Sequence, residues 1–119
     1  MVNTHGIREV PGGVTAAAGF VAAGLHTGIK PHAKPDLALL VSAREGPIAG
    51  VFTTNRVVAA PVLLDQRHIR RGRGRAIVVN SGNANAATGE RGLGDAQATC
   101  GRSSPGLGTS FYDPVSSRG

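Results

Sequence analysis

Apolar residues arrive along this chain in short runs rather than in long periodic stretches. Residues 36–42 (DLALLVS) and 48–54 (IAGVFTT) are two such runs, parted by Ala43-Arg-Glu-Gly-Pro47. Runs of this length bounded by glycine and proline predict an antiparallel strand pair. Residues 59–69 (AAPVLLDQRHI) predict a helix, with Pro61 tolerated in its first turn, where a missing N–H leaves no partner unsatisfied. Residues 75–80 (RAIVVN) are β-branched without alternation, the pattern of a buried strand. A polar loop over 81–88 follows, and residues 90–100 predict a second helix, weakened by Gly92 and Gly94. Upstream, residues 1–34 are rich in glycine and alanine without a sustained period, which predicts extended segments and loops. Lys30-Pro-His-Ala-Lys-Pro35 closes that region as a turn-rich connection, because each proline fixes its own φ and restricts its predecessor.

At Gly101 the pattern breaks. The last nineteen residues hold five serines, four glycines and two prolines, with neither helical nor strand period. Such a composition predicts a disordered terminus. The chain is therefore expected to divide into a folded part over residues 1–100 and a divergent tail over residues 101–119.

Composition narrows the class. The chain has 119 residues, enough for one compact domain or part of a larger one. Eighteen glycines are about twice the usual share, aromatics are 3% and tryptophan is absent, which excludes a coiled coil; the missing triplet period excludes collagen. A single cysteine, Cys100, excludes an internal disulfide framework and a Cys-rich zinc site, and a reducing compartment is expected. The longest small-and-apolar stretch, residues 16–25, is half the roughly 20 residues of a spanning helix. It is preceded by Glu9, Pro11, Gly12 and Gly13 rather than by a basic start, so no export signal is read and a cytoplasmic location is expected.

Candidate chemistry is sparse. His5, His26, His32 and His68 show no ligand spacing and no paired carboxylates, so no metal site is expected. Nothing basic precedes Cys100 closely enough to activate its thiol, and the residue reads as helix packing. The formal charge of +6 is concentrated in Arg67, Arg70, Arg71, Arg73 and Arg75. That run could neutralise phosphates, and a small basic nucleic-acid-binding protein is the alternative reading of this chain. No aromatic residue is interleaved to stack bases, so a solvated basic loop between helix and strand is the reading preferred. The most informative stretch is residues 78–89 (VVNSGNANAATG). A buried strand delivers Asn80, Ser81, Asn83 and Asn85, then Thr88, into one short loop before a helix. The amides suit either a self-satisfied turn or a polar wall bracing an active site, and residue chemistry leaves both open.

The same stretch carries a resemblance. VVNSGNANAATGE at 78–90, together with GVFTTNRV at 50–57, AAPV at 59–62, GIK at 28–30 and KPDL at 34–37, resembles the start of the ornithine acetyltransferase family, the glutamate N-acetyltransferases of arginine biosynthesis. Order and spacing match over roughly residues 10–100. The resemblance implies an α+β fold of layered sheets and helices, here in part only, made as a precursor that cleaves itself into two chains. It implies a ping-pong acetyl transfer from N-acetylornithine to glutamate, with acetyl-CoA as a further donor in some members, and no cofactor. The nucleophile would be the N-terminal threonine of the second chain, activated by its own α-amine. A threonine–glycine pair would form the oxyanion hole. Neither the nucleophile nor that pair has a counterpart among these 119 residues, so no catalytic residue is assigned. Asn80, Ser81, Asn83 and Asn85 are the candidates for a loop that supports the site. The partners implied are the two substrates, the second self-cleaved chain and further copies in an oligomer.

The family pattern stops abruptly after Cys100, where gradual divergence would keep a core helix's apolar face. A shift of reading frame near the Cys100 codon is expected. Translating the downstream nucleotides in the other two frames checks it: one frame should restore an alanine-rich helix and then a threonine–glycine motif, and failure of both contradicts it.

Overall fold

A computed structural model describes residues 6–83, 87–103 and 109–112. Four strands form one sheet in the order β1-β2-β3-β4: β1 Phe20–Leu25, β2 Leu37–Pro47, β3 Arg73–Asn80 and β4 Thr109–Tyr112. The first two pairings are antiparallel and β4 lies parallel to β3. Helix α1 spans Ala60–His68 and helix α2 spans Gly89–Ser103, with single 3-10 turns at Gly13–Thr15 and Ile69–Arg71. This is the α+β class that the sequence implies.

Strand register follows from which side chains must be dry. Leu39 of β2 lies opposite Val78 of β3, and Leu37 lies opposite Asn80. Within β3, Ala76 and Val78 are buried, so this face is the one on which the helices pack. The core is a small cluster of Leu64 from α1, Val78 from β3, and Ala96 and Cys100 from α2, with Leu37, Leu39 and Leu93 against it. Pro61 occupies the first turn of α1, as its lack of an N–H requires. Arg67 sits in the last turn of α1 and Arg102 in the last turn of α2, placing positive charge at the negative helix ends. Gly72 ends the 3-10 turn at φ 66° and lets the chain reverse into β3.

Two expectations are corrected. Residues 48–54 are not a strand: β2 runs unbroken to Pro47, through the stretch expected to be a turn, and pairs with β1 and β3 instead. The register shifts at an irregularity between Val41 and Gly46, and beyond it Gly46 and Pro47 pair with Gly74 and Arg73. Arg73 holds this extension by donating to the Glu45 carboxylate at 3.2 Å and to the Glu45 carbonyl at 3.3 Å. Residues 48–52 then pass beside α1, where a Cβ on Gly50 would come within 2.7 Å of Ile69 Cδ1. The second correction concerns the end of the chain. α2 continues past Cys100 to Ser103, and residues 109–112 add the parallel strand, so the segment read as a disordered tail contains both. The rest of that tail lies outside the described residues.

The opposite face of the sheet is only partly covered, with Leu40, Ile77 and Val79 half-buried. Ala22, Ala38, Leu40, Ile77 and Val79 line a groove of about 500 Å³ together with Val14, Ile48, Val51 and Phe52. All six residues of β1 are exposed, including Val21 and Leu25. The helix-side cluster is thus the part of the sheet packing that resists unfolding. Leu64→Ala should cost about 2–5 kcal/mol, whereas Val21→Ala on the wet edge should change stability by less than about 0.5 kcal/mol. Denaturant unfolding of the two variants checks the contrast.

Candidate functional site

The connection from β1 to β2 is organised by one buried carboxylate. Asp36, 2% exposed, sits where β2 begins. Its Oδ1 accepts from the Thr27 amide and the Thr27 hydroxyl, each at 2.7 Å. Its Oδ2 accepts from the amides of Ile29 at 2.9 Å and Lys30 at 3.0 Å. His26 Nδ1 lies 3.4 Å from Oδ2 and 3.0 Å from the Lys34 carbonyl. Both neighbours are acceptors, so Nδ1 carries the ring proton and donates it to Lys34. Burial alone would raise the Asp36 pKa. The Thr27 hydroxyl and the amides of Lys30, Thr27 and Ile29 outweigh it and hold the carboxyl well below its usual range. Backbone amides thus bind a fixed negative charge that stays ionised.

That cradle abuts the asparagine loop. The Asp36 carbonyl accepts from the Ser81 amide at 2.8 Å. Gly82 follows at φ 99°, a conformation that disfavours any side chain. A Cβ there would lie 2.6 Å from Lys30 Cγ and 3.2 Å from Ile29 Cγ2, so the loop and the cradle touch at the glycine. Asn80 and Asn83 both line a polar cavity of about 200 Å³, completed by Pro61 at the start of α1 and by Thr88, Gly92, Asp95, Ala96 and Thr99 at the start and along one side of α2. Gly92 has a packing reason that its helix-weakening reading missed: a Cβ would fall on the Thr88 side chain. Of the four candidate loop residues, Asn80 and Asn83 share the cavity, Ser81 is tied by its backbone to Asp36, and Asn85 lies outside the described residues.

The remaining candidates carry less. Cys100 is buried in the core, and burial, with the nearby Asp65 charge, pushes its thiol up to about 11, so it holds its proton. The arginine run is not one loop: Arg67 lies on α1, Arg70 and Arg71 on the 3-10 turn, and Arg73 and Arg75 on β3. Arg73 pairs with Glu45 and Arg75 donates to the Ser42 carbonyl at 3.0 Å, so two of the five brace β2. Among the described residues no group of three or more His, Cys, Asp or Glu could hold a metal. None of their helices is long and apolar enough to cross a membrane. Asp36 is the residue that motif reading passed over; a lone aspartate between a loop proline and a strand was the available signal.

The Asp36 shift fixes the direction of a pH effect. Its folded-state pKa lies below its ordinary 3.8, so its stabilisation is complete above that value and is lost as pH falls below it. Asp36→Asn should lower Tm by at least about 5 °C at neutral pH. The difference between the two proteins should shrink below about pH 4. Thermal unfolding from neutral to strongly acidic pH checks both; an unchanged gap at low pH contradicts the assignment.

Comparison with known proteins places this geometry. The ArgJ family model matches residues 21–115, running beyond Cys100, where the motif resemblance stops. The chain is 58% identical over 80 residues to the arginine biosynthesis bifunctional protein ArgJ of Caldanaerobacter subterraneus, covering 67% of this chain and 20% of that protein. It is 52% identical over 99 residues to the protein of the same name from Streptomyces coelicolor, covering 81% of this chain and 25% of that protein. Among solved structures, the ArgJ protein of Bacillus halodurans superposes with a TM-score of 0.76 at 40% identity, over 86% of this chain and 56% of that one. Ornithine acetyltransferase of Mycobacterium tuberculosis, solved with ornithine, gives 0.76 at 39% identity, over 88% and 61%. The chain spans a fifth to a quarter of the length of these curated relatives. With a family model matching most of its length and relatives more than half identical to it over two thirds or more of its residues, the chain belongs to the ArgJ family of arginine biosynthesis.

Proposed function

We propose that this chain is the amino-terminal part of an acetyltransferase that moves acetyl from N-acetylornithine to glutamate, with acetyl-CoA as a further possible donor, in the cytoplasm. The observation that carries the reading is the likeness, at 39% identity over 88% of the chain, to an ornithine acetyltransferase solved with ornithine. In the intact enzyme a threonine hydroxyl attacks the acetyl carbonyl, and ornithine leaves as the amine. The glutamate amine then attacks the resulting ester, giving N-acetylglutamate and the free hydroxyl. Donors of an oxyanion hole take up the negative charge of each tetrahedral intermediate.

The precursor would cleave itself to expose that threonine. Supporting this, matches of 80 and 99 residues fill 20% and 25% of the curated relatives, whereas 86% and 88% of this 119-residue chain fill 56% and 61% of the solved chains, so a solved chain is a little under half a relative's length, in keeping with division into two chains. The second chain, and further copies of both, would complete the site and the oligomer. Within this division of labour the present chain contributes scaffold. Asn80, Ser81, Asn83 and Asn85 brace the reacting centre rather than touch the acetyl group. Nothing in the geometry favours the nucleic-acid alternative.

Two outcomes test the reading. The purified 119-residue chain should show no acetyl transfer from N-acetylornithine to glutamate, and turnover above background contradicts the assignment of the nucleophile elsewhere. In a full-length family member, replacing the asparagine equivalent to Asn83 with alanine should impair self-cleavage or turnover. Normal maturation with normal kinetics would leave the loop as a turn and nothing more.

A further inference from the structure

The connection before β2 and the loop after β3 are far apart in sequence, yet they meet at a single point. On one side, the Asp36 carboxylate gathers the amides of Thr27, Ile29 and Lys30. This fixes the backbone from which the Ile29 and Lys30 side chains project. The Lys30 ammonium lies 3.4 Å from the Pro35 carbonyl, and its stem packs across Gly82 of the neighbouring loop. On the other side, Gly82 leaves the space into which that stem and Ile29 fit, with Lys30 Cγ closer than any Cβ would allow. The Asp36 backbone also fixes the preceding residue through the Ser81 amide. The same residue therefore holds the loop by its main chain and shapes it by its side chain, with Asn80 and Asn83 on either side of the contact lining the polar cavity.

We propose that Asp36 is the positioning residue of the 80–83 loop: its carboxylate sets the Thr27–Ile29–Lys30 backbone, which wedges the Ile29 and Lys30 side chains against Gly82 and so determines where Asn80 and Asn83 present their amides. Its relevance to catalysis rests on the reading of this loop as a brace of the acyl-transfer site. The wedge itself does not depend on that reading. Asp36 touches neither substrate nor the reacting atoms, and its effect reaches the cavity only through Lys30, Ile29 and the Ser81–Gly82 backbone.

The test reads loop geometry in this chain by amide hydrogen exchange, with no acetyl transfer measured, so failure of the wedge and failure of the proposed function are told apart. Ser81 reports the loop, while Leu64 in α1 and Val78 in β3 report global opening. Asp36→Asn should speed exchange at Ser81 by at least about tenfold more than at Leu64 and Val78. Lys30→Ala should act in the same direction, whereas Lys30→Met, which keeps the stem and removes the charge, should leave Ser81 as in the parent. Unchanged exchange at Ser81 in both Asp36→Asn and Lys30→Ala overturns the proposal, as does acceleration shared equally with Leu64 and Val78. Should Asp36→Asn fail to fold, Thr27→Val, which removes one donor, takes its place beside the Lys30 pair under the same criteria.

Discussion

A carboxylate removed from water must find its solvation inside the protein, and here the backbone supplies it. Four hydrogen bonds to Asp36 come from three residues of one short connection, three of them from main-chain amides. An uncompensated charge in this place would be costly, so the connection has little freedom to take another path. That path includes His32 and Ala33 at positive φ, an unusual pair of positions for residues with side chains. The favourable charge–amide bonds offset the strain. The end of β1, the start of β2 and the exit of β3 all converge on this one residue, whose main chain donates to the Leu25 carbonyl and accepts from the Ser81 amide.

The elements that sequence reading recovers are those whose formation is decided locally. The residues of α1 carry their own start signal in Pro61, and β3 is legible as an unbroken β-branched run. Strand partnership is different. Residues 36–42 were readable as a strand, but nothing within them selects between the run at 48–54 and the true neighbours, β1 and β3. That choice is made by Leu39 meeting Val78 over the helices and by Arg73 reaching Glu45, contacts between residues far apart in sequence. β1 was invisible for a related reason: FVAAGL is half small residues, and its extended form comes from pairing with β2.

The candidate site divides along the same line. Asn80 and Asn83 could be singled out because three amides within six residues are conspicuous in composition. Their common cavity could not, because its other walls come from α1 and α2. Asp36 illustrates the harder case: its importance lies in which amides surround it, and amides carry no sequence signature. Gly82 and Gly92 likewise look like generic flexible positions until Lys30 and Thr88 are seen to occupy the space their side chains would need.

The partly open face of the sheet has a calorimetric consequence. Apolar surface that water already wets in the folded state contributes nothing to the heat capacity gained on unfolding. This chain should therefore unfold with a heat-capacity increment below the usual per-residue value and with a flattened dependence of stability on temperature. The groove lined by Leu40, Ile77 and Val79 is part of that missing increment. Whatever dries this face would restore it.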